Sequence, residues 1–115
     1  MASYNRVILM GNLVGDPEIR DIGEKGLARY TVAVNKPGKS KDGTDRSTVL
    51  YMDCDHWSPG AVAGFLSKGS QVLVEGELEQ QSWEKDGQKR SKIVCKVQRL
   101  QLTGSKPREM AGDFA

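Results

Sequence analysis

Hydrophobic and polar residues alternate along much of this chain, in the pattern that β-strands produce. The alternation predicts a first strand over Tyr4 to Leu13, a short extended piece over Glu18 to Ile22 and a second strand over Leu27 to Asn35. Thr48 to Trp57 is rich in aromatic and β-branched residues and is predicted to be the third strand. The pattern therefore indicates a fold built mainly of strands.

The second half of the chain carries a strong hairpin signal. Two extended arms, Gln71 to Trp83 and Gln88 to Leu102, flank Asp86-Gly87, a pair suited to a two-residue turn in which both residues adopt positive φ. The apolar positions of the second arm change parity, which predicts a bulge near Gln98 or Arg99.

Closing the hairpin on that turn defines one of its faces. Trp83 lies opposite Arg90, and Gln81 and Lys92 share their side because side chains alternate along a strand. An aromatic and basic face suits a ligand with stackable rings and negative charge, and single-stranded nucleic acid is the leading candidate.

One short helix is predicted between the third and fourth strands. Ser58 is the predicted N-cap, Pro59 the first helical residue and Gly69 the glycine just past the end. Three apolar residues share one helical face: Val62, Phe65 and Leu66.

The order of these elements predicts the architecture. Three strands, a short helix and two further strands match an all-β OB fold, a five-stranded Greek-key barrel with one short helix between strands three and four and a projecting hairpin of strands four and five. Residues 1–103 are predicted to form this domain and residues 104–115 a short flexible tail.

The first strand also bears on assembly. Val7 to Met10 is apolar without interruption, so neither of its faces suits water. One face can meet the core, and the other is predicted to meet a second copy in a symmetric homo-oligomer.

Composition and charge narrow the function. The 115 residues are 37% hydrophobic and 28% charged, as in a single globular domain, and the net charge of +2 does not by itself indicate a polyanionic partner. The bases cluster, however, with six between Lys85 and Arg99 and four between Lys36 and Arg46, the latter in a predicted mobile loop. No apolar run reaches the ~20 residues of a membrane span and no signal peptide is evident, so a cytoplasmic protein is expected.

Catalytic and metal-binding chemistry is sparse. Cys54 and Cys95 lie in strand-like segments and are expected to be reduced core residues, although the sequence leaves a disulfide open. In Asp53-Cys54-Asp55-His56, strand alternation puts the cysteine and histidine on one side and the aspartates on the other. The sequence therefore predicts no metal, no cofactor and no enzymatic activity.

With these residues in view, the chain resembles bacterial single-stranded DNA-binding proteins, the SSB family, from Ser3 to Leu102. Five motifs in order carry the resemblance: Asn5 to Leu13, Asp16 to Arg20, Leu66 to Val72, Val74-Glu75-Gly76 with Leu78, and Ser82-Trp83 followed by Asp86 to Arg90. The resemblance implies a homotetramer of OB folds that coats single-stranded DNA without strong sequence preference during replication, recombination and repair, in the nucleoid.

The resemblance also implies roles for individual residues. Tyr51, Trp57 and Trp83 match the base-stacking aromatics, and alternation independently puts Tyr51, Asp53, Asp55 and Trp57 on one side of their strand. The two aspartates are expected to repel phosphate locally. The predicted phosphate contacts are Lys36, Lys39, Lys41 and Arg46 of the loop, Lys85, Lys89, Arg90 and Lys92 of the hairpin, and Arg6 and Arg20 from the family motif.

Several positions depart from the family pattern. Asp21 and Gly38 stand where aromatic residues are frequent, and Glu77, Glu79 and Gln81 stand where the family is usually basic. Binding to single-stranded DNA is therefore expected to be weaker than in a typical family member, or to follow a narrower path across the protein surface. The chain ends Gly-Asp-Phe-Ala, without the acidic, phenylalanine-terminated tip that recruits repair and replication enzymes, so tail-mediated recruitment is not predicted.

Two alternatives within binding proteins stay open. The same stacking surface could accept RNA, because every base offers a ring face. In a protein-interaction OB module, Trp57 and Trp83 would instead be core or interface anchors, and Tyr51 could also be a packing residue.

Overall fold

The computed structural model describes residues 2–22 and 25–104. It contains six strands and one short 3-10 helix, Gly60–Phe65, between the fourth and fifth strands. The strands are β1 (Val7–Leu13), β2 (Glu18–Ile22), β3 (Lys25–Lys39), β4 (Asp45–Trp57), β5 (Gln71–Lys85) and β6 (Gln88–Leu102). The predicted flexible tail falls mostly on residues 105–115, which lie outside the described part of the chain. No described helix has the length and apolar character needed to cross a membrane.

Five of the strands close into a barrel. The sheet order is β1-β5-β6-β4-β3-β2, and a further pairing between β1 and β3 completes the ring, with β2 added at the edge of β3. The β4 and β6 strands run parallel, whereas the other pairs are antiparallel. This arrangement confirms the predicted five-stranded OB barrel, and the predicted short extended piece is β2.

The barrel can close tightly because two strand positions carry glycine. A Cβ atom at Gly11 would overlap the carbonyl oxygen of Ala33, where β1 meets β3. A Cβ atom at Gly76 would likewise overlap the carbonyl oxygen of Lys96. A side chain at either position would push the backbones apart.

Inward-facing side chains of β1, β3, β4, β5 and β6 fill the barrel. The core is mainly aliphatic and includes Leu13, Val32, Val72, Val74 and Val97. Cys54 and Cys95 are buried register partners across β4 and β6, and both are free thiols, as predicted. The adjacent Cys95 thiol and burial raise the pKa of Cys54, so this thiol stays protonated.

The predicted hairpin is confirmed residue by residue. Lys85 pairs with Gln88 and Trp83 with Arg90, around a turn in which Asp86 and Gly87 have φ of 52° and 77°. The pairing shifts between Glu75 and Gly76, whose partners are Arg99 and Val97, so Gln98 is the extra residue of a bulge, where the sequence predicted one.

The prediction of a mobile basic loop was wrong. β3 and β4 pair without interruption from Leu27 and Trp57 to Lys39 and Asp45, so most of that segment is strand. The turn between them has defined hydrogen bonds. The Asp42 carboxylate accepts bonds from the Ser40 hydroxyl and from the Thr44 N–H and hydroxyl at 3.0 and 2.6 Å. These bonds lower the pKa of the Asp42 carboxyl to about 2, and the bond from Ser40 has the largest effect.

A helix lies within the predicted segment, but it is a single stretch of 3-10 helix with Pro59 as its N-cap, and it ends at Phe65, so the prediction that Gly69 follows its end was wrong. Ser58 is not its cap, because its φ is 52° and the helix has no side-chain cap bond. Phe65 is 60% exposed, whereas Leu66, the first residue after the helix, is buried. The predicted three-residue packing face is therefore reduced to Leu66 and the partly buried Val62.

The first strand is shorter than predicted and begins at Val7 instead of Tyr4. A side chain continues its pairing with β5. Asn5 Nδ2 donates to the carbonyl oxygen of Leu78 at 2.7 Å, and the Leu78 N–H donates to Asn5 Oδ1 at 2.9 Å. The amide of Asn5 thus substitutes for a backbone peptide at the end of the sheet.

Candidate nucleic-acid interface

Two antiparallel strand pairs project from the barrel. Among the described residues, β1 pairs with β3 no further than Ala33, and β4 pairs with β6 only through Cys54–Cys95 and Asp55–Lys96. Residues 34–50, which we call the β3–β4 ribbon, are therefore two-stranded. Residues 79–94, the β5–β6 hairpin, are two-stranded for the same reason.

Side chains join the β5–β6 hairpin to β4 at the point where the two arms, the ribbon and the hairpin, leave the barrel. Gln81 Nε2 donates to Asp55 Oδ2 at 2.8 Å, and Lys92 Nζ lies 3.6 Å from Asp53 Oδ2. Gln81 and Lys92 are a cross-strand pair on the hairpin, and the two aspartates alternate along one side of β4. The predicted aromatic and basic face of the hairpin is therefore continuous with the predicted stacking side of β4.

Both aspartates also have partners on β3. Arg29 Nε donates to Asp55 Oδ1 at 3.2 Å, and the Thr31 hydroxyl donates to Asp53 Oδ1 at 2.8 Å. The structure therefore corrects the expectation that these carboxylates simply repel phosphate, because neighbouring cations and donors offset their charge. We call this group the polar bridge; its members are Arg29, Thr31, Asp53, Asp55, Gln81 and Lys92.

Sequence reasoning missed Arg29. The available signal was the register of the β3–β4 pair, which places Arg29 opposite Asp55 and Thr31 opposite Asp53. That register depends on the tight turn around Asp42, where the sequence predicts a mobile loop instead.

The three predicted stacking residues all present ring surface to solvent. Tyr51 is 64% exposed, Trp83 42% and Trp57 38%. Tyr51 and Trp57 flank the two aspartates on β4, and Trp83 lies two residues beyond Gln81 on the hairpin. The rings are thus arranged on one surface around the polar bridge, and the packing alternative for Tyr51 is not supported.

The predicted phosphate-contacting cations divide into two groups. Three form salt bridges: Arg6 with Glu75, Arg20 with Glu18, and Lys92 with Asp53. Within residues 2–22 and 25–104, the other predicted cations have no salt-bridge partner. These are Lys36, Lys39, Lys41 and Arg46 of the β3–β4 ribbon, and Lys85, Lys89 and Arg90 of the β5–β6 hairpin.

Beneath the stacking surface lies a buried aromatic pair. The Tyr30 hydroxyl is 3.3 Å from His56 Nδ1, and the rings meet edge to face at a centroid distance of 6.3 Å. Burial lowers the pKa of His56 and raises that of Tyr30, so both are neutral at pH 7. The described residues contain no group of three or more His, Cys, Asp or Glu placed to hold a metal ion.

Comparison with known proteins agrees with this geometry. A model described as the Single-strand binding protein family matches residues 4–103. The chain belongs to the single-strand binding protein family. Similar curated members are the single-stranded DNA-binding proteins of Treponema pallidum (strain Nichols), 40% identical over 91% of this chain, and of Wolinella succinogenes, 37% identical over 95%. The chain spans 61% and 70% of the length of these two relatives.

Solved structures share the family's fold. A Plasmodium falciparum SSB complex with ssDNA aligns with a TM-score of 0.79 at 18% identity, over 90% of this chain and 98% of the other. A deletion mutant of the single-stranded DNA binding protein from Thermus aquaticus aligns with a TM-score of 0.76 at 25% identity, over 90% of this chain and 52% of the other. Both likenesses support the OB barrel described above.

Proposed function

We propose that this family member binds and protects single-stranded DNA without strong sequence preference. Bases would stack on Tyr51, Trp57 and Trp83, and the cations of the two arms would contact phosphates. Stacking on such rings contributes ~1–3 kcal/mol per base and tolerates any sequence, because each base has a ring face. No catalytic step is part of the proposal.

One observation supports this proposal above the others: the exposed rings of Tyr51, Trp57 and Trp83 share one surface on β4 and the hairpin, joined by the polar bridge. By strand alternation, Lys39, Lys85 and Arg90 lie on the same strand faces as these rings. Lys36, Arg46 and Lys89 lie on the opposite faces, so their predicted phosphate contacts are less directly supported. An unpaired polynucleotide offers bases and phosphates in alternation, which such a surface can engage together. Duplex DNA hides its base faces and would use only the cations.

A titration tests the proposal. We expect a dT oligonucleotide to quench tryptophan fluorescence and bind more tightly than the matched duplex. Affinity should fall as salt rises, because ~0.7 counterions are released for each phosphate contacted. A matched RNA oligonucleotide that bound more tightly would identify an RNA-binding module, and the absence of quenching by any single strand at low salt would contradict the proposal.

We also propose a homo-oligomer, a tetramer by family resemblance, that assembles through β1. Ile8 and Met10 on the outer face of β1 are 57% and 50% exposed. Among the described residues, β1 pairs with β3 only at Asn12 and Leu13, so its preceding residues offer an unpaired edge. An apolar strand with a free edge suits antiparallel pairing with a second copy.

Light scattering tests the assembly. Met10→Lys should reduce the measured mass to that of a smaller species, because a charge would be placed in the contact. Leu102→Lys changes an exposed residue outside that face and should leave the mass unchanged. Equal masses for wild type and Met10→Lys would show that assembly uses another surface.

The proposed cellular role follows from the proposed binding. A protein that coats single strands would act in replication, recombination and repair, and would be associated with the nucleoid in the cytoplasm. We infer this role from family membership, and co-localisation of a tagged protein with sites of DNA synthesis would test it.

A further inference from the structure

The polar bridge links β3 and β4, whose backbones pair continuously, to the β5–β6 hairpin, which backbone pairing joins to β4 at only two residue pairs. Arg29 lies on β3, Asp55 on β4 and Gln81 on β5. Asp55 is 5% exposed, and its two oxygens accept from different strands, Oδ1 from Arg29 Nε at 3.2 Å and Oδ2 from Gln81 Nε2 at 2.8 Å. With both oxygens directed at protein donors, this carboxylate is engaged in holding strands together.

The backbone fixes the angle between the hairpin and β4 only at the base of the hairpin. Two residue pairs, Cys54–Cys95 and Asp55–Lys96, make up the parallel β4–β6 pairing that the structure describes. In addition to this pairing, side chains link the hairpin to β4, Gln81 to Asp55 and Lys92 to Asp53. Hydrogen bonds that involve a charged group are among the stronger ones, so these contacts can set how far the hairpin leans from β4.

Gln81 lies close to the ring that matters for the proposed function. It is two residues before Trp83 on the same face of β5, about 7 Å along an extended strand. A change of tilt at Gln81 would therefore move Trp83 and its cross-strand partner Arg90 together.

We propose that Asp55 and Gln81 are positioning residues that hold the β5–β6 hairpin so that Trp83 faces the same ligand path as Trp57. This inference rests on the proposed function and deepens it. Because the polar bridge already holds the stacking surface in place, binding would not require the hairpin to lose conformational entropy, and affinity would be higher. Gln81, one of the positions where basic residues are usual in the family, would thus support binding through protein contacts.

The neighbouring glutamine provides a matched control. Gln80 is exposed on the opposite face of the hairpin, where its cross-strand partner is Ile93. Gln81→Ala removes the bond to Asp55, whereas Gln80→Ala removes the same side-chain atoms without touching the polar bridge.

The first test needs no DNA. In protein labelled with 5-fluorotryptophan, we expect the Trp83 resonance of Gln81→Ala to broaden or shift through exchange between hairpin orientations, with the Trp83 resonance of Gln80→Ala unchanged. Indistinguishable Trp83 spectra in the two variants would overturn the proposal, whether or not the protein binds DNA.

The second test is a double-mutant cycle with a dT oligonucleotide. Gln81→Ala should weaken binding by about fivefold, with an unchanged salt slope because no cation is lost, and Gln80→Ala by less than about twofold. In a Trp83→Ala background, the effect of Gln81→Ala should fall below about twofold. An equal effect in both backgrounds would overturn the positioning role, whereas failure of the wild type to bind dT would instead contradict the proposed function.

Discussion

The barrel and its two arms are stabilised by different interactions. The barrel has an aliphatic core, and its closure depends on glycines that admit a neighbouring backbone. The ribbon and the hairpin have only two strands each, expose cations and end in defined turns. The hairpin also exposes Trp83 and is held to the outer face of β4 by the polar bridge. The difference suggests that stability and ligand binding reside in separable sets of residues, so that substitutions in one region should leave the other property nearly unchanged.

The largest expected effect is on barrel stability. Gly11→Ala should lower the free energy of unfolding by about 3 kcal/mol, because the new methyl group would overlap the Ala33 carbonyl at the β1–β3 closure. Gly15→Ala is the control, since a Cβ there meets nothing within 4 Å, and it should change stability by less than about 0.5 kcal/mol. Denaturant unfolding measures both. Equal stability of the two variants would show that closure does not depend on glycine.

The next effect is on binding alone. Trp83→Ala should weaken dT binding by ~1–3 kcal/mol and leave the melting temperature nearly unchanged, because the ring lies on a two-stranded hairpin with little barrel beneath it. Tyr4→Ala removes another exposed aromatic residue, one outside the two arms, and should change neither property. A large loss of stability with intact affinity would identify Trp83 as a core residue.

These predictions bear on what the sequence could reveal. The β5–β6 hairpin was predictable to its register, because Asp86-Gly87 fixes the turn and alternation then fixes every partner. The β3–β4 ribbon was not, because Pro37, Gly38 and Gly43 favour a loop, whereas the tight turn depends on local hydrogen bonds from Ser40 and Thr44 to the Asp42 carboxylate.

The candidate site was predictable in part for a similar reason. Exposed positions for Tyr51, Trp57 and Trp83 follow from strand alternation and the family motifs. The pairing of Asp53 and Asp55 does not, since it depends on how the hairpin packs against β4 and on the register between β3 and β4, which the pattern of a single strand does not fix. The alternation of residues within one strand identifies which side chains share a face. Contacts between strands that are distant in sequence can be seen only in the folded structure.

A smaller effect concerns pH and stability. Burial lowers the pKa of His56 below its ordinary 6.5, so the unfolded chain takes up this proton before the folded one does. The contribution of neutral His56 is complete above pH 6.5 and is lost as pH falls towards the folded-state pKa. The melting temperature of the wild type should therefore fall by a few degrees more than that of His56→Gln between pH 7 and pH 5. Parallel pH profiles would contradict the buried, neutral state.

The smallest expected effect is on the salt dependence of binding. Lys85→Ala should reduce the slope of log affinity against log salt by ~0.7, because Lys85 lies on the Trp83 face of the hairpin and one phosphate contact would be lost. Lys68→Ala removes an exposed lysine outside both arms and should leave the slope unchanged. Equal slopes for the two variants would show that the hairpin cations do not contact phosphate.

The most direct test of the central claim is to map a bound strand onto the protein by NMR. We expect addition of dT to shift the indole resonances of Trp57 and Trp83 and the backbone amides of both arms, while those of Tyr4, Ile8 and Met10 stay in place. Shifts concentrated on β1, with the two indoles unaffected, would contradict the assignment of this surface to single-stranded DNA.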